Sequence, residues 1–263
     1  MKKIMLFILF SVFVYATEFY SKSEPFSVYK LQSNVSGLVI KADENLEGKV
    51  LSTSEFIVVD DYLDKKELVN LKDKKVSYEK SLKLNIKMSK IFKIMIEKKN
   101  LNYEKIKNLP IKSSIEKDKE FFDLSSTQTQ ELSSLEKIQT IKTQLSDTNF
   151  RIEQLEKSIK DKHIKAPEMV LYKLFVKKGQ FVSMGATLAE LADISRSKLT
   201  IYLNSDEIVD AKEKSIYLNG NKTKYKINKI WPLSDSEHIS SYKTEIIIDA
   251  PSRFSKLYKI EFK

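Results

Sequence analysis

Between Gly48 and Gly179 the chain has no glycine, and the only prolines in that stretch are Pro110 and Pro167. These two residue types most destabilise a helix interior, so uninterrupted helix is allowed on either side of Pro110. Asp64 with Glu67 three residues on reads as a capping box opening a first helix, and Ser113 with Glu116 as the box opening a second. The arms, about Asp64 to Asn108 and Ser114 to Asp161, are nearly equal, each roughly 65–70 Å at 1.5 Å per residue. Equal arms about one short turn predict an antiparallel helical hairpin.

The second arm carries an a/d seam at Ile138, Ile141, Leu145, Ile152, Leu155 and Ile159, with Thr148 as its polar member. Leu132 and Leu135 fall out of phase with it, which predicts a stutter. In the first arm Leu68, Leu71, Tyr78, Leu82, Phe92 and Ile96 keep heptad spacing, while Lys75, Asn85 and Ser89 weaken it. Ile86, Met88, Ile91, Ile94 and Met95 widen the apolar stripe beyond what one helix covers. Either a second contact, such as a neighbouring subunit or another protein, covers them, or they pack irregularly within the hairpin.

The flanks read as strands. Before the hairpin come Val35 to Ile40 and Phe56 to Val59, with a turn at Glu47-Gly48-Lys49-Val50; after it come Ile164 to Pro167, Leu171 to Val176, Lys178 to Val182, Met184 to Leu188 and Leu191 to Asp193. The two segments echo each other in strand, glycine turn and strand closing on Asp, so they read as halves of one small β-sandwich with the hairpin inserted. After Asp193, runs at Leu199 to Asn204, Ser215 to Leu218, Tyr225 to Ile230, Thr244 to Ile248 and Tyr258 to Phe262 predict further strands, with Asn219-Gly220-Asn221 as a hairpin turn and Trp231 as a packing residue.

Lys2 and Lys3 precede an apolar run from Ile4 to Tyr15 that ends in Val14-Tyr15-Ala16, the pattern of a signal peptide over residues 1–16 cleaved after Ala16. The run is shorter than the roughly 20 residues that span a bilayer. Export without any cysteine suits a periplasm.

Composition removes most chemistry. Five glycines leave no GxGxxG and no Walker A motif, and the absence of Cys excludes disulfides, thiolate metal sites and a cysteine nucleophile. His163 and His238 do not make a histidine metal site and read as surface histidines; Asp60 and Asp61 read as turn or capping groups. No GxSxG elbow is present. No catalytic residue, cofactor or metal is expected, and the chain does not read as an enzyme. The net charge of +10 comes from 46 basic and 36 acidic residues, of which only Arg151, Arg196 and Arg253 are arginine. Nucleic-acid readers use the arginine fork, so the lysine surplus reads as solvated surface and no nucleic-acid partner is expected.

The Ala166-Pro167 strand entry, the run Val176-x-x-Gly179-Gln180-x-Val182-x-x-Gly185-x-x-Leu188 and the weaker Ser36-Gly37-x-Val39 half resemble the periplasmic adaptor subunits, or membrane fusion proteins of the HlyD type. The family places a Gly a few residues after the Ala-Pro pair, where this chain has Glu168-Met169-Val170. The resemblance implies an elongated α+β chain: signal peptide 1–16, first half of a split lipoyl-like β-sandwich 17–63, inserted antiparallel coiled-coil hairpin 64–161, second half 162–196, and a small β-barrel 197–263. It implies an adaptor linking an inner-membrane transporter to an outer-membrane channel protein in an efflux or secretion system, working as a homo-oligomer in the periplasm. A lipoate or biotin carrier would need its modified lysine on the turn where the hairpin stands. An exported coiled-coil scaffold or activator for cell-envelope remodelling is the alternative. The family's hairpin tip commonly carries an Arg, a Leu one helical turn later and a Ser beyond the bend, and Lys105, Leu109 and Ser113 are the nearest matches here. They read either as the partner-binding tip or as solvated helix and cap.

Overall fold

The computed structural model describes residues 18–234 and 238–263, so the signal segment 1–16 and its cleavage point lie outside the described residues. Among the described residues, 18–58 together with those from Lys165 to Lys263 form one compact unit, and Val59–Ile164 form another.

In the second unit, α1 (Tyr62–Lys107) and α2 (Ser114–Lys162) are single unbroken helices of 46 and 49 residues. They pack antiparallel, because Asp64–Lys162, Glu67–Arg151 and Lys72–Glu156, at 2.7, 3.0 and 2.7 Å, join the start of α1 to the end of α2, whereas Lys99–Asp123, at 2.8 Å, joins the end of α1 to the start of α2. The buried positions of α2 are Leu124, Thr127, Ser134, Ile138, Ile141, Thr148, Ile152, Leu155 and Lys162. With half-buried Glu131, Leu145 and Ile159 they alternate in steps of three and four without a break. The stutter expected at Leu132 and Leu135 is therefore absent. Leu124 and Ile138 already lie in one phase, so the seam runs through Glu131 and Ser134 between them and leaves the two leucines outside. Two polar seam residues bond across the pair: Ser134 Oγ donates to Asn85 O at 3.3 Å, and Lys99 Nζ donates to Thr127 Oγ1 at 2.9 Å.

The expected capping box at Asp64 and Glu67 is also corrected. α1 begins two residues earlier, with Asp61 at the N-cap and Asp60 Oδ1 accepting from the Tyr62 N–H at 3.0 Å, while Asp64 and Glu67 are taken by the cross-pairs. Asp61, its side chain 8% exposed, accepts from Lys65 at 2.8 Å and from His163 Nε2–H at 2.6 Å, tying the start of α1 to the end of α2. Burial pushes the Asp61 carboxyl up, but the Lys65 and His163 hydrogen bonds and charges outweigh it and hold it below its ordinary value. A carboxyl lowered in the folded state contributes stability that is present above its unfolded value and lost as pH falls through the folded one. Asp61→Asn is expected to cost on the order of 1–3 kcal/mol at neutral pH. Thermal melts should show the gap to the parent closing as pH drops through the carboxylate range.

The first unit is built on β8 (Thr187–Asn204), an 18-residue strand. It pairs antiparallel with β2 (Glu24–Gln32), β6 (Met169–Leu174) and β12 (Ser241–Asp249), and β12 pairs with β11 (Ile227–Ile230). A second sheet has the order β1 (Glu18–Lys22), β13 (Leu257–Phe262), β9 (Ile216–Leu218), β10 (Asn221–Lys222). In a third, β4 (Ile57–Val59), β3 (Gly37–Ala42) and β7 (Phe181–Val182) lie in that order. β8 runs unbroken through position 196/197, its register with β12 beginning at Arg196, and residues 18–22 pair with the C-terminal strand β13.

The two flanking segments do interlock. Gly179 N–H donates to Val39 O, Val39 N–H to Gln180 O, Gly185 N–H to Ser33 O and Ser33 N–H to Ala186 O, each at 2.8–2.9 Å. Gly179 and Gly185 make these turns at φ of +89° and +83°, conformations that strain any residue with a Cβ. Where the family pattern has another glycine, Glu168 itself adopts φ +68° and its N–H donates to Leu51 O at 3.0 Å. The turn is kept without glycine, at the cost of left-handed backbone on a glutamate.

A core of Leu199, Ile201, Leu203, Ala211, Ile216, Leu218, Ile246, Ile248, Ile260 and Phe262 unites β8, β9, β12, β13 and the short helix α3 (Ser205–Ala211), which the strand pattern did not reveal. Trp231 is outside this core. Its half-buried ring lies under Lys229 and Lys243, whose Nζ atoms stand 4.2 and 5.0 Å from the centroid.

Candidate functional site

The strongest concentration of exposed groups with defined geometry is the bend between α1 and α2. α1 ends where the Asn108 and Leu109 N–H groups fold back on Ile106 O, and Pro110 cannot continue the ladder. α2 opens on a complete capping box: Ser113 Oγ accepts from Glu116 N–H at 3.3 Å and Glu116 Oε2 accepts from Ser113 N–H at 3.0 Å. Lys112 Nζ reaches Glu116 Oε1 at 3.0 Å. That contact, then the Ser113 backbone and hydroxyl, hold the Glu116 carboxyl below its ordinary value. Behind the bend, Tyr103 on α1 and Phe121 on α2 pack at 5.8 Å between ring centroids. The turn is thus fixed on both sides.

Lys105 lies exposed on the last turn of α1 and makes no ion pair among the described residues. Leu109 is in the bend, 46% exposed. Ser113 is at the surface, but its hydroxyl both accepts from Glu116 N–H and donates to Glu116 Oε2 at 3.2 Å, so it is committed to the cap. The three expected residues share one end of the unit. The most exposed aliphatic side chains there are two that the family pattern did not single out, Ile111 at 94% and Ile115 at 78%. The sequence signal was available: Ile111 follows Pro110 directly, and Ile115 in the first turn of α2 falls outside the a/d register.

Along the helices, the wide stripe is not absorbed by irregular packing. Leu84, Met88, Ile91 and Met95 are exposed, each one residue before a seam position of α1. Ile86, Leu132 and Leu135 are exposed, each one residue after a seam position. The ion pairs identify these as opposite flanks, since Glu67–Arg151 joins residues that precede the seam and Lys72–Glu156 joins residues that follow it. The two-helix unit therefore has an apolar patch on each side at the same level.

Elsewhere, a cleft of about 720 Å³ in the β unit has Pro25, Val28, Val170, Tyr172, Lys22 and Glu24 among its lining residues. Among the described residues no cluster of three or more His, Cys, Asp or Glu side chains is placed to hold a metal ion, and no helix is long and apolar enough to cross a membrane.

No family model matches the chain, and no curated protein matches it in sequence. Solved structures do. MacA from Actinobacillus actinomycetemcomitans superposes with a TM-score of 0.69 over 94% of this chain and 78% of its own, at 14% identity. A putative efflux transporter from Bacteroides eggerthii gives 0.58 over 94% and 68%, at 13% identity. The membrane fusion protein Spr0693 from Streptococcus pneumoniae gives 0.55 over 94% and 98%, at 8% identity. The chain has the fold of these membrane fusion and efflux proteins.

Proposed function

We propose that this chain is a periplasmic adaptor that links an inner-membrane exporter to an outer-membrane channel protein, with no catalysis of its own. The observation that carries the reading is the fold. A paired two-helix unit is inserted between interlocked halves of a β unit, and the likeness to MacA extends over 94% of the chain. In this reading 33–51 and 168–186 form the lipoyl-like sandwich, the sheets around Leu199 and Ile260 form the β-barrel, and α1 and α2 form the coiled-coil hairpin whose bend docks on the channel. Helix-in-groove docking uses an exposed apolar anchor with polar neighbours, and Leu109 with Lys105 has that character while Ser113 holds the bend in shape. The opposite apolar patches at Leu84–Met95 and Leu132–Leu135 suit side-by-side packing of copies, in which one flank meets the unlike flank of the next subunit.

Leu109→Asp tests the reading. The charge enters an apolar contact, where a lost match costs several kcal/mol of docking free energy, on the order of a hundredfold or more in affinity. At a half-exposed bend position it should change folding by less than about 1 kcal/mol. Export measured as drug tolerance should fall while the melting curve stays in place. Normal export at normal protein level would remove the bend from the docking surface.

A further inference from the structure

We propose that Ile111 and Ile115 are apolar anchors of the bend beside Leu109, and that they fit a protein pocket with an aliphatic floor and a carboxylate rim; this rests on the docking role assigned to the bend above. Ile111 and Ile115 are 94% and 78% exposed, against 46% for Leu109. They are not loose: Lys112 follows Ile111 and Glu116 follows Ile115, Ser113 stands between the two isoleucines, and Glu116 is bonded to both Ser113 and Lys112, so residues flanking both isoleucines are held by hydrogen bonds. An apolar anchor whose surroundings are already ordered loses little conformational freedom on binding.

Charge selects the partner. Residues 104–119 carry five lysines against three acidic side chains. Glu104 is engaged by Lys107 and Glu116 by Lys112, whereas Lys105 is exposed without an ion pair among the described residues. The excess is positive, which disfavours a second copy of the same bend and favours a rim of Asp or Glu. An anionic bilayer is the weaker match, because Glu104, Glu116 and Asp118 stand at the same level as the lysines and no Trp or Tyr is present in 108–115 to sit at a headgroup interface.

The test uses the full chain in its own cells, with a photoreactive residue at position 111 and, separately, at exposed Phe150 on the shaft of α2 as a control. Cross-linking from 111 but not 150 to an outer-membrane channel protein is expected, weakened at least tenfold by Ile115→Glu and by Lys105→Glu. Ile111→Glu and Ile115→Glu should each reduce export at least tenfold with the melting temperature unchanged. If both export normally while Leu109→Asp does not, the anchor assignment is overturned and docking by the bend stands. If all three export normally, docking by the bend falls with it. Cross-links from 111 only to a second copy, or binding of the purified chain to phosphatidylglycerol vesicles that Ile111→Glu abolishes, would also overturn the proposal.

Discussion

Replacing residues 64–161 by a short Gly/Ser linker is expected to leave a folded β protein that has lost all export activity. The β unit has its own core around Leu199, Ile246 and Ile260, and the hydrogen bonds joining residues 33–39 to 179–186 do not involve the helices. The ends to be joined are close, because Asp64 and Lys162 meet at 2.7 Å and Asp61 and His163 at 2.6 Å. Shortening the loop by about three doublings lowers the closure cost by about 2 kcal/mol, so the deletion does not penalise the β fold. Circular dichroism should show the helical signal gone, a β signal retained and one cooperative unfolding transition. A deletion product without cooperative unfolding would contradict the division into two units.

The second large effect is expected at Leu199→Ala. Leu199 is fully buried on β8, opposite Ile246 in the register with β12, and that strand also carries β2 and β6. Removing its side chain leaves a cavity where neighbouring strands are pinned on both edges and cannot collapse, so a loss of about 2–5 kcal/mol is expected. That is a large fraction of the about 5–15 kcal/mol typical of a folded domain. Leu257→Ala, 61% exposed on β13, should change stability by less than about 0.5 kcal/mol. Urea unfolding of both variants checks the contrast, and a small shift for Leu199 would show that β8 is not the centre of the core.

The helices were legible because glycine and proline are missing over so long a stretch, and because the second capping box needs only Ser113 and Glu116. The seam's phase was harder to read. It depends on Ser134 and Glu131, whose burial follows from the phase of Leu124 and Ile138 rather than from their own polarity. β1 escaped because its partner β13 lies at the other end of the chain, and strand pairing at that separation leaves no local mark. β8 reads in the sequence as one strand closing on Asp193 and another starting at Leu199, with polar Arg196, Ser197 and Lys198 between, whereas Ser197 is fully buried with its hydroxyl donating to Glu24 O at 2.9 Å. At the bend, the family pattern led to Leu109 and Ser113. Exposure led to Ile111 and Ile115, because a residue's accessibility beside a proline turn is set by where the two helices stop.

The central claim is a physical link between two membranes, and affinity purification of the full chain from detergent-solubilised membranes of its own cells tests it most directly. The account predicts that an inner-membrane transporter and an outer-membrane channel protein are recovered together, and that Leu109→Asp loses the channel while keeping the transporter. Recovery of neither protein, with the chain intact and folded, would contradict it.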